Sequence, residues 1–357
     1  MSYPSRLNIV DANLFTKEAN SIIPDRMMAQ IVKVSWLRPI EGADRIELAG
    51  VLGWQVIVRK GEFSVGDLAV YFSIGSLMDE SNPIFAHLKG KPLETVKMRG
   101  VLSQGLLGRL DSFNLADAKE DDDVTAKVGV KKYVEPEESG AYFVDSSREP
   151  WPQQIPKTDE PRIQNCPKML AKLGNEEVII TQKYDGTSTT FFCFHGKVSV
   201  CARNNIILDT PVNVTNNNNR VYLEMLIKYN LEKMKDLNRN LAIQGETIGP
   251  KINGNKHKVK ENEFYVFNIY DVDLHTYLSW DEIVEICDKM ELKTVPLIHR
   301  GPTEWHTVES CLALADKQRY DTGAICEGIV VKTNTKDNYS RTSFKVISNE
   351  YLLKYKM

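Results

Sequence analysis

Residues 178–186, VIITQKYDG, constrain the fold more than any other stretch of the chain. Val178, Ile179 and Ile180, followed by Thr181, have the β-branched richness of a buried strand. Asp185-Gly186 is a turn signal, and the β-prone residues 188–194 begin almost directly after it. The pattern predicts a hairpin with Lys183 at the mouth of a cleft. A lysine there has two readings. It can be a solvated residue before a turn, or a nucleophile. In the second case burial or neighbouring cations lower its unperturbed pKa of about 10.4 and expose a lone pair. The three fixed residues of KxDG recur by chance in roughly one chain in ten of this length. The rest of the sequence has to decide.

At 357 residues the chain has room for two domains with cores of their own. A hydrophobic content of 42% and a charged content of 26% are those of an ordinary soluble protein. The net charge of −3 excludes a polycation, so contact with nucleic acid has to come from local patches. Six scattered cysteines without a CxxC pair or zinc spacing predict a reducing compartment and no structural zinc. The first residues lack the apolar core of a signal peptide, and no apolar run reaches membrane-spanning length. The expectation is an intracellular protein, cytoplasmic or nuclear, with no membrane partner.

Residues 31–36, 54–59, 68–72, 95–99 and 106–110 are short β-prone segments broken by Gly, Pro and Asp, which predicts a small closed barrel. Arg38, Lys60, Lys97 and Arg99, with Trp36 and Trp54, are candidates for holding a nucleic-acid strand. The tryptophans are equally suited to a core. Asp117 and Glu120 to Asp123 form an acidic run, expected to be a solvated loop away from any phosphate path. Pro136, Pro150, Pro152, Pro156 and Pro161 mark a linker at 136–162, between a domain at 1–135 and another at 163–357.

In the second domain, Arg203 follows another β-prone stretch and could reach back over the cleft. Residues 215–219 read as an asparagine-rich loop, and 220–237 as a packing helix with Leu223, Leu226, Ile227, Leu231 and Met234 on one face. Gly245 permits close approach of a ligand, and Glu246 beside it can accept hydrogen bonds from ribose hydroxyls. Lys251, Lys256, His257, Lys258 and Lys260 make a basic loop suited to phosphates, although such clusters more often only solvate a surface. Phe267, in the β-prone residues 264–272, is the candidate for stacking on a purine. Ser279 and Glu282 have the form of a capping box. Glu327 heads an apolar strand ending in Lys332 and suits a hydrated divalent cation. Lys345 is embedded in a further strand.

In this order Lys183-Tyr184-Asp185-Gly186, Gly245-Glu246, Phe267, the run EGIVVK at 327–332 and Ser343-Phe344-Lys345 resemble motifs I, III, IIIa, IV and V of the covalent nucleotidyltransferases. That superfamily comprises ATP-dependent DNA ligases, RNA ligases and mRNA capping enzymes. The resemblance runs from residue 157 to the end. Residues 38–72 resemble OB-type barrels. VKMRGVLSQGLL at 96–107 and PKTDEPRIQN at 156–165 resemble the RNA ligase branch with an OB domain ahead of the catalytic domain.

The resemblance implies an α+β chain: an OB-type β-barrel, then a nucleotidyltransferase domain of antiparallel sheets flanked by helices. It implies ATP with Mg2+ or Mn2+, and a lysine-linked AMP on Lys183 that passes to an RNA 5′-phosphate and is displaced by a 3′-hydroxyl. It implies that Glu246 binds ribose, Phe267 stacks on adenine, Glu327 places the metal through water, and Lys345 with Lys332 neutralises phosphate charge. Arg162, Asp185, Gly186 and Arg203 are further nucleotide contacts by the same match. A nicked duplex and a role in RNA repair go with this reading; a DNA nick ligase or a capping-type enzyme is the alternative. One departure stands out. The place of a second motif V lysine holds Ile347, so Arg341 or Lys332 supplies that charge or Lys345 acts alone.

Overall fold

A computed structural model describes residues 27–79, 82–88, 90–133, 147–215, 217–335 and 341–355. The N-terminal stretch and the first part of the expected linker lie outside the described residues. By contact density the chain divides into two units. One takes in the described residues up to 51 with 55–95 and 103–133, the other 52–54, 96–102 and 147–355.

In the first unit Ala29–Lys33, Leu68–Phe72 and Leu106–Arg109 form an antiparallel sheet, with Ala29 opposite Phe72 and Phe72 opposite Leu106. The strand expected at 31–36 is two strands. Ser35 turns its N–H to the Gly50 carbonyl, and Trp36–Pro39 then pairs with Ile46–Val51, a strand the sequence reading missed. Ala49-Gly50 weakens its β signal, and the fold shows why Gly50 is there. A Cβ at Gly50 would come within 2.0 Å of the Trp36 indole, which lies on that spot. Arg38 stacks on the same ring at 4.3 Å, so Trp36 is a partly exposed face, whereas Trp54 is core at 1% exposure. Ile31, Val70, Phe72 and Phe85 make the heart of this unit's core. The acidic run is exposed, as expected, and its Asp122 carbonyl accepts the Ile31 N–H at 2.9 Å.

The second unit holds two large sheets, antiparallel apart from the short strand Lys293–Thr294, which joins Glu263–Asp271 in parallel. In the four-stranded one the order is Leu297–Gly301, Val178–Lys183, Gly328–Thr333, Ser343–Ile347. The eight-stranded one has Thr187–Phe194, Leu241–Ile248 and Glu263–Asp271 at its centre. The expected hairpin is therefore not formed. Val178–Lys183 and Thr187–Phe194 belong to different sheets, and Tyr184-Asp185-Gly186 carries the chain from one to the other. A turn signal specifies a reversal of direction but not the partner of each strand. Val178–Lys183 finds its partners far away in sequence, with Lys183 opposite Gly328, whereas Thr187–Phe194 pairs with the next strand, Lys197–Cys201, on one side and with Leu241–Ile248 on the other, where Ser188 lies opposite Glu246.

Three further expectations are corrected. Residues 148–162 are not a free linker: Arg148–Pro150 pairs with Asn205–Ile207 at the edge of the eight-stranded sheet, and Ile155 is buried against Phe192, Cys201, Ala242 and Tyr270. Proline is tolerated there because an edge strand need not donate on both sides. The asparagine-rich stretch is helical around its middle, Pro211–Thr215 and then Asn217–Lys228. Asn219 donates to the Asn213 side chain at 2.6 Å, and Asn213 donates to the carbonyls of Ser147 and Leu208, so these amides form a buried staple. The helix expected to reach 237 stops at Lys228, and a 3-10 turn, Leu231–Leu237, follows Asn230 in the left-handed region. The helix Trp280–Met290 has its capping box, with Ile283, Ile286, Cys287 and Met290 buried. All six cysteines are free, and among the described residues no helix is long and apolar enough to cross a membrane.

Candidate active site

Where the two sheets of the second unit part, they leave a cleft of about 470 Å³, within the usual range for a small-molecule site. Arg162, Lys183, Asp185, Gly186, Arg203, Glu246, Phe267, Glu327, Lys332 and Lys345 all line it. These ten candidates thus face one space, although they come from segments up to 183 positions apart, while Gly245, Arg341 and the basic loop residues Lys251, Lys256, His257, Lys258 and Lys260 are not part of its lining.

Lys183 ends its strand and Glu327 immediately precedes the neighbouring one; the lysine Nζ lies 2.6 Å from Glu327 Oε2. Burial acts to lower the Lys183 pKa, but Glu327, Glu246 and Asp185 together outweigh it and hold the amine above the ordinary lysine value. The expectation that neighbouring cations would unmask this amine is therefore corrected. The unliganded site keeps it as a paired ammonium.

Glu246 sits on the adjacent sheet and accepts the Gly186 N–H at 3.1 Å. Burial pushes its carboxyl up to about 7, against the pull of Lys183. A Cβ on Gly186 would meet the Thr247 carbonyl at 2.3 Å and Glu246 Cγ at 2.8 Å, so only glycine lets the turn settle onto this strand. Gly245 serves packing rather than a ligand: a Cβ there would strike the Tyr265 carbonyl at 2.3 Å and the Phe264 ring at 2.5 Å. Phe267 reaches the cleft because of a bulge. The register steps from Gln244 opposite Asn268 to Gly245 opposite Val266, leaving Phe267 as the extra residue.

Lys332 is buried and donates to the Phe267 carbonyl at 2.5 Å and to Asn268 Oδ1 at 2.8 Å. Burial, aided by Arg341, lowers it to about 7. Its folded value lies below the unfolded one of about 10.4, so the unfolded chain binds more protons between those limits and stability from this group rises with pH there. Compared with Lys332→Met, the wild type is expected to gain roughly 5 °C or more in melting midpoint between pH 6.5 and 9.5. Parallel melting curves across that range would refute the lowered pKa of this buried amine. Arg341 stacks on Tyr277 at 3.6 Å, while Lys332 lines the cleft; Ile347 is buried beside Tyr351 and Leu352.

Lys345 is lowered by burial, against the attraction of Asp159, whose carboxylate lies 3.8 Å away and also accepts from Arg203 at 2.9 Å. The Lys345 N–H is bound to the Pro161 carbonyl, which seats Arg162 beside it. Residues 158–162 are thus a wall of the cleft. Asp185 faces the cleft, but its carboxylate is engaged: Lys256 reaches it at 2.6 Å, Asn253 Nδ2 at 2.8 Å, and the Tyr351 hydroxyl donates to it. Asp159, Asn253, Tyr320 and Tyr351 were not foreseen. Asp159 lies in the PKTDEPRIQN segment but was not singled out there, the other three belong to no recognisable local pattern, and only the fold brings the four here.

Among the described residues no three His, Cys, Asp or Glu side chains converge into a metal shell. With Asp185 engaged, Glu327 is a largely buried carboxylate at an open cleft. That donor set fits a divalent cation that keeps most of its waters.

The RNA ligase family matches residues 176–347, and an OB-fold domain family matches residues 28–110. No curated protein matches the sequence. Among solved structures the chain is similar to Naegleria gruberi RNA ligase with PPi, at 33% identity over 93% of this chain and 99% of that one, with a TM-score of 0.72. A lysine-to-methionine variant of that ligase with AMP and Mn gives 33% identity, 93% and 99% coverage and a TM-score of 0.74. A lysine-to-alanine variant with ATP and Mn gives 33%, 92%, 99% and 0.73.

Proposed function

The chain belongs to the ATP-dependent RNA ligases that carry an OB-fold domain ahead of the catalytic domain, and on that footing we propose that it joins an RNA 3′-hydroxyl to a 5′-phosphate through AMP carried on Lys183. The observation that carries this reading is Lys183 paired with Glu327 at 2.6 Å in a cleft that also holds Glu246, Phe267, Lys332 and Lys345.

Lys183 Nζ gives up its proton and attacks the α-phosphorus of ATP. The N–P bond forms as the α–β anhydride breaks and pyrophosphate leaves. An oxygen of the RNA 5′-phosphate then displaces the amine, giving an adenylylated RNA end. Attack by the 3′-hydroxyl on that phosphate releases AMP and closes the phosphodiester. Phe267 offers a ring face for adenine, Glu246 accepts from the ribose hydroxyls, and Lys345 and Lys332 meet charge that grows on the phosphates. Glu327 would hold a hydrated Mg2+ or Mn2+, which would supply charge neutralisation at the triphosphate. With a cation held there, Glu327 would release Lys183, whose amine could then lose its proton to solvent. Arg203 and Arg162 line the side from which phosphates enter.

The natural substrate of this reading is a nicked duplex in an intracellular repair setting, with the barrel gripping the strands. A nick carrying a labelled 5′-phosphate tests it, with RNA or DNA supplying the 3′-hydroxyl and ATP or GTP as cosubstrate. Sealing is expected with ATP and an RNA 3′ strand. Sealing only of an all-DNA nick, or label transfer only from GTP, would overturn it.

A further inference from the structure

Tyr320 belongs to none of the sequence motifs, yet its hydroxyl lies between the two residues at the centre of the site. The O–H donates to the Lys183 carbonyl at 3.0 Å and accepts the Glu327 N–H at 3.0 Å. Lys183 and Gly328 are the last paired residues of their two strands. Beyond them the strands part, and the phenol joins the next N–H to the lysine carbonyl in place of a direct backbone bond. The Cys326 thiol sits between the Gly328 carbonyl at 3.1 Å and the same Lys183 carbonyl at 3.4 Å.

The ring is held as firmly as its hydroxyl is placed. Tyr320 is 3% exposed. The His257 ring packs on it at 3.9 Å, and Tyr184 meets it edge-on at 5.5 Å. A tight turn fixes its backbone, with Tyr320 N–H bonded to Ala324 O and Gly323 N–H to Tyr320 O. A phenol so constrained has little freedom to follow a shifting partner. It sets the distance instead.

We propose that Tyr320 is a positioning residue for lysine adenylylation, its hydroxyl fixing the spacing of the Lys183 and Glu327 backbones so that amine and carboxylate face each other across the start of the cleft. The inference rests on the reading of Lys183 as the nucleophile. Tyr320 is not part of the cleft lining; it acts through the two residues it joins. Misplacement of a nucleophile by a fraction of an ångström slows the chemical step more than it weakens binding. A tyrosine that merely satisfied a buried carbonyl would not produce that division.

The test uses the full chain, wild type and Tyr320→Phe, in single-turnover formation of labelled AMP adduct over a range of ATP concentrations, beside sealing of a nick with a pre-adenylylated 5′ end. For the variant the plateau rate of adduct formation is expected to fall about tenfold or more, with the half-saturating ATP concentration within about threefold of wild type. Sealing of the pre-adenylylated nick should fall by a much smaller factor, since that step makes no bond to the amine. An unchanged plateau rate overturns the proposal. So does an equal loss in both assays, which is what a misfolded variant or a purely structural role would give. Absence of adduct in the wild type would remove the lysine reading itself, which keeps the two failures apart.

Discussion

Lys183→Met is expected to lower covalent adenylate on the protein by a factor on the order of 10⁴ or more, below detection in a gel assay with labelled ATP. No other amine can take over. Lys332 is bonded to the Phe267 carbonyl and Asn268, and Lys345 sits beside Asp159. Methionine keeps the length of the side chain and removes both the nucleophile and the partner of Glu327. Lys183→Arg separates those two losses. Arginine retains a cation for Glu327 but does not deprotonate in proteins, so it should be as inactive as methionine. Both variants should still seal a pre-adenylylated nick to a measurable extent. Mass spectrometry that found the adenylate on another residue, or adduct from Lys183→Met at the wild-type level, would end this account of the site.

Asp185→Ala is expected to produce the largest loss of stability among single changes in the cleft. The Asp185 and Lys256 side chains are 12% and 14% exposed, and Asn253 and Tyr351 add their hydrogen bonds to the same carboxylate. Removing the carboxylate strands the Lys256 ammonium with little water, a change that costs about 3 kcal/mol or more. For a unit of this size that corresponds to a melting midpoint lower by roughly 6–12 °C. The effect should be non-additive. In Lys256→Met the stranded cation is gone, so adding Asp185→Ala to it should cost clearly less than Asp185→Ala alone. Equal costs in both backgrounds would show that the pair is not the source. Because Asn253 also donates to the Gly186 carbonyl at 2.8 Å, the same change loosens the turn after Lys183.

The corrections share a physical origin. Residues 178–194 contain two strands and a turn, and nothing local tells a turn that reverses within one sheet from a turn that crosses between two. The 148–162 stretch has the proline content of a linker, and its place at a sheet edge depends on a partner strand some 57 residues further on. The charge state of Lys183 could not be read from its neighbours in sequence, because Glu327 and Glu246 come from other strands.

The sequence alone determined that this chain is built largely of short strands, and that its motifs run in an order resembling that of the nucleotidyltransferases behind an OB-type barrel. The strands follow from local side-chain chemistry, and the candidate residues from the resemblance; that ten of them line one cleft is a fact of the fold. The tertiary structure alone decided which strands pair, that the lysine is held as an ammonium by carboxylates, and that Tyr320, Asn253 and Tyr351 brace the turn and the Lys183–Glu327 pair. Those depend on distances between segments that meet only after the sheets have closed on each other.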